Sequence, residues 1–129
     1  MFKKTNKQPL EINQQEISTI IGDGYTFTGE IQGSTVIRIE GKVIGNVSVT
    51  GGVILGESGD IEGDITTDSA IIYGTVTGNI QSGQLEIKKT GEVNGDITTD
   101  TLEIELGAQY NGKLNMHKPK QQAVLMEAS

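Results

Sequence analysis

Apolar and polar residues alternate with a period of two through most of residues 19–114, and glycine interrupts the alternation at regular intervals. Period two is the mark of extended strand, with one set of side chains turned to a core and the other to water. The unit that recurs is an apolar residue, a spacer, Gly, a mostly polar residue and a second apolar residue. Its copies are Phe27-Thr28-Gly29-Glu30-Ile31, Val43-Ile44-Gly45-Asn46-Val47, Ile61-Glu62-Gly63-Asp64-Ile65, Val76-Thr77-Gly78-Asn79-Ile80, Val93-Asn94-Gly95-Asp96-Ile97 and Tyr110-Asn111-Gly112-Lys113-Leu114. The central glycines stand 16, 18, 15, 17 and 17 residues apart. That interval is too regular for unrelated strands and too short for a helical-hairpin repeat or a propeller blade. One repeat reads as one turn of a solenoid.

The phase of the alternation assigns the core. Leu85, Ile87, Val93 and Ile97 point inward, with Lys88 to Gly91 as a corner and Gly95 as a bend. Val53, Leu55, Ile61 and Ile65 take the same phase on an earlier rung, and Leu102, Ile104, Tyr110 and Leu114 take it on the last. Corners differ in length: Ile39-Glu40-Gly41 and Ile72-Tyr73-Gly74 are shorter than Leu55-Gly56-Glu57-Ser58-Gly59. A surface insertion costs little, and the inward phase is recovered at the next strand. Ile44, Ile54 and Ile71 fall on the outward phase, where they read either as scattered surface residues or as a strip for docking or lateral filament contact.

Stacked rungs bring equivalent side chains to about 4.8 Å, where identical charges repel. The position after the central Gly reads Glu30, Asn46, Asp64, Asn79, Asp96 and Lys113. This order keeps the turn chemistry of Asn and Asp while breaking a continuous column of acids.

Composition narrows the fold. The chain has 129 residues, enough for one domain, with 18 Gly and no Trp, so the interior is thin and built from Val, Ile and Leu. No Cys is present, which removes disulfide and thiolate chemistry and suits a reducing cytoplasm. No apolar run approaches the ~20 residues of a membrane span. Net charge is −7, and residues 19–114 carry 14 acids against 5 bases. An acidic body lacks the basic stripe that nucleic-acid phosphates require. Residues 1–18 and 115–129 lack strand alternation and read as disordered tails.

The repeats, taken in order, resemble the bactofilins, a family of bacterial polymer-forming cytoskeletal proteins. The resemblance rests on Ile20-Ile21-Gly22-Asp23-Gly24, Gly29-Glu30-Ile31-Gln32-Gly33, Ile39-Glu40-Gly41-Lys42-Val43-Ile44-Gly45-Asn46-Val47, and Leu85-Glu86-Ile87 through Gly95-Asp96-Ile97. It implies an all-β, single-domain, right-handed parallel β-helix over residues 19–114, three-sided and about six rungs long, between disordered termini. It also implies nucleotide-independent assembly into non-polar filaments, and a scaffold that positions cell-envelope or cell-shape machinery.

The end repeats hold Tyr25, Phe27 and Tyr110, and neither flank resembles an amphipathic cap, so the open rungs are candidate interfaces. Tyr25, Phe27 and Ile31 mark one end; Leu102, Ile104, Tyr110 and Leu114 mark the other. Pairing like to like at each end gives a homopolymer without polarity. Alternatively, Tyr110 plugs its own rung. Met1-Phe2-Lys3-Lys4 resembles the hydrophobic-basic start by which many bactofilins reach the inner membrane. This implies binding to anionic lipid and a peripheral position on its cytoplasmic face, with avidity from many tails on one filament.

Rival readings are weaker. A discrete β-solenoid binding module would share the fold without polymerising. A hexapeptide-repeat acyltransferase needs a strict six-residue step and usually a catalytic His, whereas the intervals vary and His117 lies in a tail. An ice-binding array of Thr is broken where Gln81-Ser82 falls between Thr66-Thr67 and Thr98-Thr99, which read as solvated strand threonines. Asp60, Glu62 and Asp64 lack calcium-loop spacing, and there is no Gly-Lys-Ser/Thr phosphate cradle. No catalytic residue, cofactor or metal is indicated.

Overall fold

A computed structural model of the chain describes residues 17–116. All the regular structure among them is strand. The first turn is β1 (Ile17–Ile21), β2 (Thr26–Thr28) and β3 (Ile31–Gly33); the second is β4 (Val36–Ile39), β5 (Lys42–Ile44) and β6 (Val47–Val49). Next come β7 (Gly52–Leu55) and β8 (Asp60–Glu62). From β9 (Ile65–Ile72) onward, two sides of the solenoid run together as one long strand, whose start pairs with β6 and whose end pairs with β7. The next two rungs repeat that form, as β10 (Thr75–Thr77) with β11 (Ile80–Ile87) and β12 (Glu92–Asn94) with β13 (Ile97–Ile104), and the described residues end with the short β14 (Gln109–Asn111) and β15 (Leu114–Met116). The strands reach two residues beyond 19–114 at either side.

The fold is a parallel β-solenoid. Its register lines up the sequence repeat. One column runs Phe27, Val43, Ile61, Val76, Val93, Tyr110. A second runs Ile31, Val47, Ile65, Ile80, Ile97, Leu114, and a third Ile21, Ile39, Leu55, Ile72, Ile87, Ile104. Interior members of all three columns are buried. Burying an aliphatic side chain contributes roughly 1.5–3 kcal/mol, so the central rungs supply most of the stability.

The motif glycines form their own column. Gly45, Gly63, Gly78 and Gly95 have φ between +143 and +155°, and a Cβ on any of them would stand 2.0 Å from the carbonyl oxygen of the glycine one rung before. Glycine is thus required twice at each position, for its backbone angle and for the close approach of the neighbouring rung. Beside this column, four successive post-glycine side chains accept a backbone N–H from the next rung. Asn46 Oδ1 accepts from Asp64, Asp64 Oδ1 from Asn79, Asn79 Oδ1 from Asp96 and Asp96 Oδ1 from Lys113, all at 3.0–3.1 Å. The Asn/Asp succession therefore does more than avoid like charge: it ties rung to rung.

Two expectations are corrected. Ile54 and Ile71 do project outward, but they are 4% and 7% exposed, packed with Val36 under Ile17 and Tyr73; Ile44 alone of the three is exposed. Thr67 and Thr99 are buried rather than solvated. The long strands carry an inward position at each of Thr67, Ser82 and Thr99, and the hydroxyls are satisfied internally. Ser82 Oγ donates to Thr99 Oγ1 at 3.2 Å, and Thr99 Oγ1 donates to the Thr101 carbonyl at 2.9 Å.

Candidate functional site

Every interior rung covers the apolar columns of its neighbours; the first and last rungs have a neighbour on one side only. The physical consequence is visible in exposure. At the amino-terminal end Tyr25 is 72% and Phe27 39% exposed, while Ile31 is half-buried against the core. At the carboxy-terminal end Ile104 is 43% and Leu114 41% exposed, with Leu102 and Tyr110 packed partly against the core. The seven residues therefore form two separate groups, since Phe27 and Tyr110 close opposite ends of one column. Strand edges are open at the same places: β2 and β14 are the outer strands of the six-stranded sheet. An open edge with an apolar interior beside it is a template for further strand pairing.

Tyr110 has a dual setting. Its hydroxyl donates to the Lys113 carbonyl of its own rung, and burial pushes the phenol above its ordinary pKa, with the nearby Asp96 carboxylate adding to the shift. The side chain thus plugs its own turn as well as forming part of the end. Leu106 is the residue that the repeat alone does not reveal. It is 93% exposed, at the corner between β13 and β14. That corner is well anchored: Glu105 donates its N–H to the Ile87 carbonyl at 2.9 Å, and its Oε1 accepts the Lys89 N–H at 2.8 Å. Equivalent corners carry Glu57 and Lys89, so an apolar residue there was legible as a departure from the pattern.

Lateral surfaces differ in kind from the ends. They carry ion pairs such as Lys42 with Glu62 at 3.1 Å and Lys88 with Glu86 at 2.9 Å. Both lysines have raised pKa values because those carboxylates hydrogen-bond their ammonium groups. Exposed pairs of this kind contribute little, on the order of 0–1 kcal/mol each. Among the described residues no group of His, Cys, Asp and Glu could hold a metal ion.

A parallel solenoid with apolar columns uncovered at both ends belongs to the class of β-proteins whose strand ladder another copy can extend. The chain is a bactofilin: the family model described as "Polymer-forming cytoskeletal" matches residues 19–115. It is 37% identical over 100 residues to bactofilin BacO of Myxococcus xanthus, covering 77% of this chain and 79% of that one. Bactofilin BacP of the same organism is 27% identical over 100 residues, where the match covers 42% of the relative. Among solved structures, Thermus thermophilus bactofilin in double helical filaments superposes with a TM-score of 0.70 at 27% identity, over 75% of this chain and 99% of that one. A crystal structure of a point mutant of the same protein gives 0.65 at 28% identity, over 67% and 98%. The family is structural and cytoskeletal rather than enzymatic. The tails, with Met1, Phe2, Lys3, Lys4 and His117, lie outside the described residues.

Proposed function

We propose that the chain assembles end to end without nucleotide into a non-polar filament, amino-terminal rung on amino-terminal rung and carboxy-terminal rung on carboxy-terminal rung. The observation that carries this reading is the emergence of the same apolar columns, uncovered, at both ends of the solenoid. Each new contact buries Phe27 and Tyr25, or Ile104, Leu106 and Leu114, and sets the apolar columns end against end, with the strands of the two subunits running in opposite directions across the junction. The filamentous Thermus relative supports assembly as such. Negative-stain electron microscopy of the purified chain with and without ATP or GTP is the test. Filaments of equal length in both conditions are expected. Nucleotide-dependent growth overturns the nucleotide-free mechanism, and a monodisperse monomer replaces it with a discrete binding module.

The filament lies on the cytoplasmic face of the inner membrane through Met1-Phe2-Lys3-Lys4 and serves as a scaffold for cell-envelope or cell-shape proteins. No helix among the described residues is long and apolar enough to cross a membrane, so attachment is peripheral in this reading. Lysines near an anionic surface contribute about 1 kcal/mol each, marginal for one subunit and sufficient when many tails bind together. Removing residues 2–4 is expected to abolish co-sedimentation with phosphatidylglycerol-containing vesicles while leaving filaments unchanged. Co-sedimentation that persists removes this segment from membrane binding.

A further inference from the structure

Two asparagines of the chain precede a glycine, Asn94 before Gly95 and Asn111 before Gly112. The two dipeptides hold the same place on successive rungs, since Asn94 pairs with Asn111 in register, yet their surroundings differ. Gly95 donates its N–H to the Asn111 carbonyl at 2.9 Å, as Gly78 does to the Asn94 carbonyl. Gly112 belongs to the last rung, and among the described residues no carbonyl accepts its N–H. The side chains differ in the same sense. Asn94 is half-buried and held twice, its Oδ1 accepting from Asn111 Nδ2 at 3.0 Å and its Nδ2 donating to Glu92 Oε2 at 3.2 Å. Asn111 is exposed, and among the described residues its side chain has only the bond to Asn94.

We propose that Asn111-Gly112 is a site of spontaneous deamidation and isomerisation, active while the carboxy-terminal rung is open. The Gly112 amide nitrogen gives its proton to solvent hydroxide and attacks Asn111 Cγ; the new C–N bond forms as the side-chain nitrogen leaves as ammonia, closing a succinimide. Water then opens the ring. Addition at the side-chain carbonyl gives aspartate and addition at the backbone carbonyl gives isoaspartate, so in sum one water is taken up and one ammonia released. The attack requires a backbone nitrogen free of the hydrogen-bond ladder and a following residue without a Cβ to obstruct the approach. Gly112 meets both conditions, whereas Gly95 meets only the second. A rung with a neighbour on one side also opens at lower cost than an interior rung. Either product alters the end of the solenoid. Aspartate replaces the donor to Asn94 Oδ1 with a carboxylate, oxygen against oxygen, and isoaspartate lengthens the backbone by a methylene at the end of β14, beside Tyr110. An unassembled subunit therefore loses its carboxy-terminal surface with time, and a covered one keeps it; that consequence rests on the end-to-end reading, while the site itself does not.

Both asparagines are followed in one preparation of full-length protein carrying Ile104→Arg and Leu106→Arg, substitutions that keep the carboxy-terminal end from pairing, during incubation at mildly alkaline pH. Proteolysis and mass spectrometry with peptide fragmentation read the conversion of amide to acid at each residue. Asn111 is expected to convert at least tenfold faster than Asn94 in the folded protein, and the two are expected to convert at similar rates in urea. Equal rates in the folded protein, or faster conversion at Asn94, overturn the site. A tenfold preference that persists in urea also overturns it, because flanking sequence and not the open rung would then set the rate. In filaments of the unsubstituted chain, Asn111 is expected to convert at least fivefold more slowly than in the variant. If filaments form and Asn111 reacts as fast in them as in the variant, the carboxy-terminal rung is uncovered in the filament; that result overturns the end-to-end reading of this junction and leaves the site standing.

Discussion

Ile104→Arg combined with Leu106→Arg is expected to stop assembly at the dimer and to leave the solenoid folded. Leu106 is 93% exposed, so charging it removes little from the isolated subunit, where surface changes typically fall within about ±0.5 kcal/mol; Ile104, 43% exposed at the open end of its column beside Ile87, gives up part of its packing but leaves the interior columns intact. In the filament they would bring guanidinium groups face to face in an apolar contact, and unpaired buried charge costs several kcal/mol. The amino-terminal ends remain free to pair. If each end pairs with its own kind, the variant accumulates as a dimer in light scattering, and adding Tyr25→Arg reduces it to a monomer. Head-to-tail stacking would give monomers from either end's variant alone, which makes the oligomer size a direct readout of polarity. Unchanged filaments remove the carboxy-terminal rung from the mechanism. Leu106 suits this test better than Tyr110, whose hydroxyl bond to Lys113 makes any substitution there a change to the fold as well.

Gly78→Ala is expected to destabilise the solenoid by about 3 kcal/mol or more. Holding a non-glycine residue in a sparsely allowed backbone region costs on the order of 1–3 kcal/mol, and Gly78 has φ +149°. The methyl would also stand 2.0 Å from the Gly63 carbonyl oxygen and 2.6 Å from its carbon, both of them backbone. Relief requires the two rungs to separate. That strains the ladder on both sides, including Gly63 N–H to the Thr77 carbonyl at 3.0 Å and Gly78 N–H to the Asn94 carbonyl at 2.9 Å. Against a total stability of ~5–15 kcal/mol for a domain, the loss is large. Gly33→Ala is the matched control, because a Cβ there meets nothing within 4 Å. Urea unfolding followed by far-UV circular dichroism compares them; equal midpoints for Gly78→Ala and the unsubstituted chain would refute the close-approach argument.

The repeat made the solenoid readable because its two requirements are local. Period-two alternation identifies inward residues such as Val76 and Ile80 without any knowledge of their partners, and the spacing of the glycines sets the rung. The resemblance carried by Ile39 through Val47 identified the family on the same residues. The post-glycine succession from Asn46 to Asp96 was visible as a pattern, but its role as a ladder of side-chain acceptors needed the register between rungs.

Ile54 and Ile71 show where local reading ends. Alternation correctly turns them away from the core columns, yet their burial depends on a bulge in β1 and on Tyr73, neither of which alternation specifies. Thr67 and Thr99 fail in the opposite sense: Thr in a strand favours neither face, and here both turn inward, where Thr67 Oγ1 donates to the Ser69 carbonyl and Thr99 Oγ1 to the Thr101 carbonyl. Leu106 was legible as an apolar residue at a polar corner, and it is exposed as the equivalent Glu57 and Lys89 are. The order of residues determined which side of each strand faces inward, the length of a rung and the family. Whether a side chain is covered was decided by tertiary structure, because cover comes from residues distant in sequence, and at the two ends from whatever stacks on the molecule.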